Sequence, residues 1–367
     1  MSATRFIVCL LSITFTILAL PASLVVVGDP FQVLHRNWFG QNGYLNSDRF
    51  QNAGLIKRLI ADQPERHDSI VLGTSMSQNF DIQQLSEEMN WKGPVKLTIA
   101  GGRAREIAVI ATDALRSGSI KHVLWEIYSG YELKDPFALH PEAPLPLYMY
   151  SENSIDLWRY LFNQDIVDKA VKTIFRRNDR KFRDIKNLYR WEQPEAFQAF
   201  SSPANIEQLN RKMAAAPPLS PRSAGNDYYL NIDKNLIPII KAHQDVEFNL
   251  YFPPTSYYGL TLTTPAKFWT RMNTRKYLLE RVSIFPNVHV FAFDLYDDFG
   301  AKAANYKDLS HYSPAVSKAI VRYIAQGKFE IRANEWDGYV ATLLLKLQQF
   351  RQNTLQGQKQ TVSRSLN

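Results

Sequence analysis

An uninterrupted uncharged run, FIVCLLSITFTILALPASLVVV, occupies 6–27. As a helix, a run of that length crosses a hydrocarbon core of about 30 Å. Arg5 precedes it and Asp29 follows it, so the bias of positive charge toward the cytoplasm predicts a cytoplasmic amino terminus and an exported body. A cleaved signal peptide is the alternative. The run continues through 24–27, past the small residues Ala22 and Ser23, and exceeds a signal core of about 7–15 residues, which favours an uncleaved anchor over 1–28. A polar connector over 29–66 follows, with a helix expected at 53–61. The texture then changes to short apolar runs separated by helical periodicity. SIVLG (Ser69–Gly73), VKLTIA (95–100), HVLWEIY (122–128), VEFNLYF (246–252) and VHVFAF (288–293) read as five buried strands, with helices over 103–116 and 265–281 between them. Strands alternating with crossover helices predict an α/β domain over 67–330: a three-layer, flavodoxin-like sandwich around a five-stranded parallel sheet. Ligands bind such sheets beyond the carboxyl ends of the strands.

Between the third and fourth strands, 131–235 breaks the rhythm with Pro-rich turns and aromatic helical stretches, and reads as a mainly helical insertion. Within it, eight basic residues (Lys172, Arg176, Arg177, Arg180, Lys181, Arg183, Lys186, Arg190) face two acidic ones, Asp179 and Asp184. That run is a solvated helix face, or else a lid or membrane-facing surface that attracts anionic headgroups or glycan. AAAPPLSPRSAG closes the insertion as a loop. A carboxyl-terminal helix is expected over 331–350, and the polar remainder, 351–367, reads as disordered. Over its 367 residues the chain is 45% hydrophobic and 21% charged, which excludes global disorder and a multi-span membrane protein. Forty-three basic against 35 acidic residues give a net charge of +8, favouring anionic neighbours; no nucleic-acid module accompanies it. The single cysteine, Cys9, lies in the apolar run, which excludes a disulfide framework and a zinc knuckle.

Two segments carry candidate chemistry. In VLGTSMSQNF the first strand ends at Gly73, and Ser75 follows two residues later at the ligand-facing edge. Glycine tolerates the sharp turn needed there, and the next amides can face a developing oxyanion; a purely structural turn of small residues is the other reading. In YKDLSHYSP, Asp308 and His311 stand three apart in a turn before a helix. A carboxylate so placed can hold one imidazole nitrogen while the other takes a serine proton. Alternatively, Asp308 or Ser310 caps that helix and His311 is incidental.

With these motifs the chain resembles the SGNH (GDSL-like) hydrolase superfamily, over roughly 69–324 without the insertion. Gly73-Thr74-Ser75 corresponds to the Gly-Asp-Ser block, with Thr74 in place of the aspartate, and Asp308-Leu309-Ser310-His311 matches the Asp-x-x-His block. The likeness is nearest to the membrane-anchored bacterial branch of envelope and polysaccharide modification. The resemblance implies Ser75 as nucleophile, His311 as general base and Asp308 as its partner, with oxyanion donors from Ser75 and from Gly101 or Gly102, Gly102 being the first choice. It departs from the family at the third block: WEIYSGYEL has no asparagine after the third strand. A lost oxyanion donor costs about 2.7–4 kcal/mol of barrier stabilisation, so Asn79, or groups at Tyr128 and Ser129, must substitute.

Other residues carry less. Asp294, Asp297 and Asp298 lack the His or Glu partners of a metal site, and neither a metal nor another cofactor is expected. His122 and His289 read as packed core histidines, and Trp125, Tyr251 and Phe252 as core. Tyr257 and Tyr258, after Pro253-Pro254, are candidates for contact with a sugar or acyl chain. The expectation is an inner-membrane, single-pass protein with a periplasmic body, an esterase or O-acyltransferase acting on acyl groups, chiefly O-acetyl, of an envelope glycan. A membrane acyl-donor protein is a partner the resemblance suggests. The alternative is a catalytically inactive relative that binds glycan or scaffolds its assembly.

Overall fold

A computed structural model describes residues 2–35, 43–175, 182–219 and 229–365. The apolar run forms one helix, α1 (Ala3–Gly28), long and apolar enough to cross a membrane. The connector is not a spacer. It folds into helix α2 (Asp48–Leu55), extended by a π-helical turn, Ile56–Ala61, and buries Leu55, Ile56 and Ile60.

The five expected strands form one parallel sheet: β1 (Ser69–Gly73), β2 (Val95–Thr98), β3 (His122–Glu126), β4 (Glu247–Phe252) and β5 (Val288–Ala292). Their order is β2-β1-β3-β4-β5. Registers such as Leu72↔Leu97 and Leu72↔Trp125 align the carboxyl ends of β1, β2 and β3. Every residue of β1 is buried, as a parallel strand covered on both faces requires. Successive side chains alternate between the faces. Ile70, Leu72, Val123 and Trp125 enter one apolar cluster, while Val71, Leu124 and Tyr251 enter another. Helix α4 (Ala104–Leu115) supplies Ile107, Ile110 and Ala111 to the first cluster. Helix α3 (Ile82–Met89) and the helix Pro314–Ala325 supply Leu85, Val316 and Ile320 to the second.

Between β3 and β4 the chain passes through α5 (Leu157–Leu161), α6 (Gln164–Phe175) and the helices Pro194–Phe200 and Pro203–Ala215. A short antiparallel pairing of Tyr44–Leu45 with Phe182–Arg183 ties this segment to the connector. Arg176, Arg177, Asp179, Arg180 and Lys181 of the basic run, and 220–225 of the 214–225 loop, lie outside the described residues. The last helix runs over Trp336–Ser365, well beyond the expected 331–350. Leu343 and Leu347 bury into the body, and Phe350 meets Tyr257 and Tyr258 edge-on. A tail judged by polarity alone thus continues a helix whose first turns are anchored.

His122 and His289 were expected in the core and are not there. Both are part-exposed at the amino-terminal ends of strands, where His122 faces Glu247 at 3.1 Å and stacks on Trp91, and His289 faces Glu330 at 2.9 Å. Trp125, Tyr251 and Phe252 are fully buried.

Candidate active site

The strand order reverses direction between β1 and β3, and a parallel sheet opens a crevice at that point. The loop leaving β1 there carries Ser75. From the opposite end of the sequence, the turn before helix Pro314–Ala325 brings His311 to it: Ser75 Oγ lies 2.8 Å from His311 Nε2. His311 Nδ1 lies 2.7 Å from Asp308 Oδ2. The second carboxylate oxygen, Oδ1, accepts the backbone N–H groups of Ser310 and His311, both at 2.8 Å. Asp308 therefore braces its turn and orients the imidazole at once, while the helix Pro314–Ala325 is capped by Ser313 and not by Asp308 or Ser310. Burial opposes its ionisation, but the imidazole and those amides outweigh it and hold the carboxyl well below the usual range. An antiparallel bridge between Tyr306 and Tyr312 closes the turn. Ser256 Oγ donates to the Leu309 carbonyl at 2.7 Å and fastens the turn to the start of helix Tyr257–Thr261.

Beneath Ser75 lies a group that the sequence did not single out. Glu126, the last residue of β3, is fully buried and accepts from Thr74 N at 2.9 Å, Thr74 Oγ1 at 2.6 Å and Ser77 Oγ at 2.5 Å. Ser77 also meets the Tyr251 hydroxyl at 2.8 Å, and Tyr251 lies 3.3 Å from that of Tyr312, beside His311. Burial pushes the Glu126 carboxyl up, against hydrogen bonds from Ser77 and Thr74 that favour its ionised form. This carboxyl also explains Gly73: a Cβ there would come within 2.6 Å of Glu126 Oε2. Thr74 thus turns its hydroxyl to a carboxylate supplied by the neighbouring strand. At the far end of the loop, buried Lys96 donates to the Gln78 carbonyl at 2.9 Å, and burial lowers its ammonium to about 7.

The oxyanion candidates separate. Gly102 N donates to the Ile99 carbonyl at 3.1 Å, so its amide is occupied. Gly101, exposed and at φ +64°, and Ser75 itself keep backbone N–H groups without partners among the described residues. The preference for Gly102 gives way to Gly101 for that reason. The Gly101 loop is gripped from α2, a contact invisible in sequence: Asp48 Oδ2 accepts from Ala100 N at 2.6 Å, and Arg49 donates to the Ala100 carbonyl at 2.5 Å and to Glu106 at 2.9 Å. Asn79 is anchored through its acceptor and keeps its donor free among the described residues. Its Oδ1 accepts from Trp191 N at 3.0 Å, and its buried Nδ2 has no partner among the described residues.

Trp191, also missed by the sequence reading, joins the β3–β4 segment to the Ser75–His311 pair. Its indole Nε1 donates to the Ser75 carbonyl at 2.9 Å, its ring meets His311 edge-on at 5.9 Å, and Lys307 Nζ sits 3.7 Å above it. Beside it opens a cavity of about 770 Å³, lined by Asp48, Gln78, Ala100, Arg183, Arg190 and Trp191 among others.

Tyr128 and Ser129 lie past the end of β3 in a turn abutting the Gly102 loop: a Cβ on Gly130 would stand 3.1 Å from the Gly102 carbonyl. Tyr128 is half-buried under the Arg271 guanidinium and Ser129 is exposed. Tyr257 and Tyr258 are buried, their hydroxyls donating to Asp297 at 2.6 Å and to Asn210 at 2.9 Å. They face the packing of the last helix and offer no platform to a ligand, because Phe350 of that helix and Asn210 cover them. Asp294, Asp297 and Asp298 pair with Arg275, Lys346 and Lys302.

Compared with known proteins, the chain matches no protein-family model and no curated sequence. The chemistry of the site therefore rests on its own geometry: a hydroxyl, an imidazole and a carboxylate in sequence, two free amides on adjoining loops, and a polar cavity alongside.

Proposed function

We propose that this chain is a membrane-anchored serine esterase or O-acyltransferase that works on acyl groups, chiefly O-acetyl, of an envelope glycan. The observation that carries the reading is the 2.8 Å approach of Ser75 Oγ to His311 Nε2, with Asp308 on the other imidazole nitrogen. In this mechanism Ser75 attacks the ester carbonyl as His311 takes its proton, and the N–H groups of Ser75 and Gly101 receive the oxyanion. Collapse expels the sugar alcohol, protonated by His311, and leaves an acyl-Ser75. Water, or a second sugar hydroxyl deprotonated by His311, then takes the acyl group. The cavity beside Trp191, walled by amides, carboxylates and arginines, suits a hydroxyl-rich chain.

The strand order and the two apolar clusters support a three-layer, flavodoxin-like domain of SGNH type, with 131–235 inserted into it. The uncharged run of α1, with Arg5 before it and Asp29 after it, supports a single-pass inner-membrane protein with a periplasmic body, beside which a membrane acyl-donor protein would work. The test is covalent. Full-length protein in detergent is treated with a fluorophosphonate probe, and labelling is expected in the wild type and in Ser151→Ala but lost in Ser75→Ala. A wild type that takes no label overturns the enzyme reading and leaves a glycan-binding or scaffold protein.

A further inference from the structure

Helix α1 does not leave the body on a free tether. Its last turn packs into the domain: Val25 and Gly28 are buried, and a Cβ on Gly28 would lie 2.8 Å from the Ala170 carbonyl of α6. The helix runs along α6 and also touches α5. Asp29, just beyond it, accepts from the backbone of Val33, Leu34 and His35 and from the Tyr160 hydroxyl of α5 at 2.7 Å. Further toward the amino terminus, Phe6, Leu11, Phe15 and Leu20 are exposed. The uncharged run 6–27 rises about 33 Å at about 1.5 Å per residue, close to the hydrocarbon thickness of about 30 Å. The body therefore begins at the level where the lipid core ends.

The two helices against which α1 packs, α5 and α6, and their flanks present Ile155, Leu157, Trp158, Phe162 and Phe175 to the outside, Trp158 being 61% and Phe175 75% exposed. Trp158 and Phe162 stack on one another with centroids 5.4 Å apart, on the helix whose Tyr160 holds Asp29. Large apolar side chains gathered at one place on a soluble surface mark a contact, and tryptophan favours the headgroup region of a bilayer. Nearby charges balance, Arg159, Lys169 and Lys172 against Asp156, Asp165 and Asp168, so charge selects no partner here.

We propose that this patch is a second membrane contact: α5 and the end of α6 lie in the interface of the leaflet from which α1 emerges, fixing the orientation of the body on the bilayer. The proposal rests on reading α1 as a membrane anchor. The experiment uses the full chain in phosphatidylcholine nanodiscs, with Cys9→Ser removing the only cysteine. An environment-sensitive fluorophore is placed in turn at Trp158→Cys, Phe175→Cys, the exposed control Ile284→Cys, and Phe15→Cys within α1. Blue-shifted emission and quenching by a nitroxide near the headgroups are expected at 158 and 175, unchanged by high salt, with neither at 284. Quenching at 15 by a nitroxide deep in the bilayer reports the anchor separately. If 15 is quenched while 158 and 175 stay water-exposed, the second contact is refuted and the anchor stands. If 15 itself is not quenched, both fall. A blue shift at 158 and 175 without lipid quenching refutes the lipid contact in favour of a protein cover.

Discussion

The two turns that meet at the candidate site are built in opposite ways. The 308–311 turn is local and part-exposed: Asp308 binds groups two and three residues away, and its side chain is 46% accessible. The 73–79 loop is held from outside itself, by Glu126 on β3, Tyr251 on β4 and Lys96 on β2. A base must be oriented and yet able to shuttle a proton, which a short solvated turn permits. A nucleophile needs a fixed direction of attack, and side chains buried in the sheet supply that.

The largest effect expected from this difference belongs to the local turn, because one atom pair there does the chemistry. Asp308→Asn keeps the turn's size but can no longer hold His311 in the required tautomer, and labelling of Ser75 should slow about 10⁴-fold with the fold intact. Thermal unfolding measured alongside should show a loss of stability at neutral pH, moderated by the solvent exposure of the carboxylate. Because the carboxyl of Asp308 sits well below its usual range, its stabilisation is present above the ordinary aspartate value of about 3.9 and is lost only in strong acid. Mild acidification therefore does not discharge it. A rate that survives the substitution would remove Asp308 from the triad.

Glu126 tests the other half. Glu126→Ala leaves Thr74 N, Thr74 Oγ1 and Ser77 Oγ without their acceptor; buried groups so orphaned cost about 1–3 kcal/mol, and a displaced nucleophile costs about 10²-fold in rate. Both losses are expected, in unfolding temperature and in labelling rate. Glu126→Gln can donate to the Thr74 hydroxyl and should recover most of each. The sign of its pH dependence follows from burial raising the Glu126 carboxyl. The wild-type contribution is full below the ordinary glutamate value of about 4.3 and declines as pH rises through the higher folded value. The Gln variant should therefore gain relative stability with rising pH. A wild-type advantage over the Gln variant that grows with rising pH would mean that the carboxyl is not raised.

The same contrast explains what the sequence revealed. The strands were legible because each is a short, mainly apolar run bounded by turn residues, and Asp308-x-x-His311 was legible because a carboxylate and an imidazole three apart in a turn share one side. Glu126 sits inside such a run, in HVLWEIY, where a buried acid has no local partner to announce it. Trp191, Asp48 and Arg49 act on Ser75 and Ala100 across 116, 52 and 51 residues, and no spacing rule encodes those contacts. Tyr257 and Tyr258 misled for the converse reason: their place after a strand was read correctly, but which way a loop tyrosine turns depends on the cover that the last helix and Asn210 provide.

Trp191 gives the finest division between the two turns, since it touches both: a hydrogen bond to the Ser75 carbonyl and an edge against His311. Trp191→Phe keeps the aromatic face under Lys307 and the backbone bond to Asn79, and removes only the indole N–H. A bond of that kind contributes about 0.5–1.5 kcal/mol net, which as lost barrier stabilisation is up to about tenfold in rate. If the indole fixes the direction of Ser75, kcat toward a small activated ester falls while KM holds, because the bond acts on the attacking residue and not on the cavity. If Trp191 serves only as a wall of the cavity, KM for a glycan ester rises and kcat for the small ester is unchanged. The first outcome extends the non-local support of the nucleophile to the segment between β3 and β4; the second confines that support to the strands.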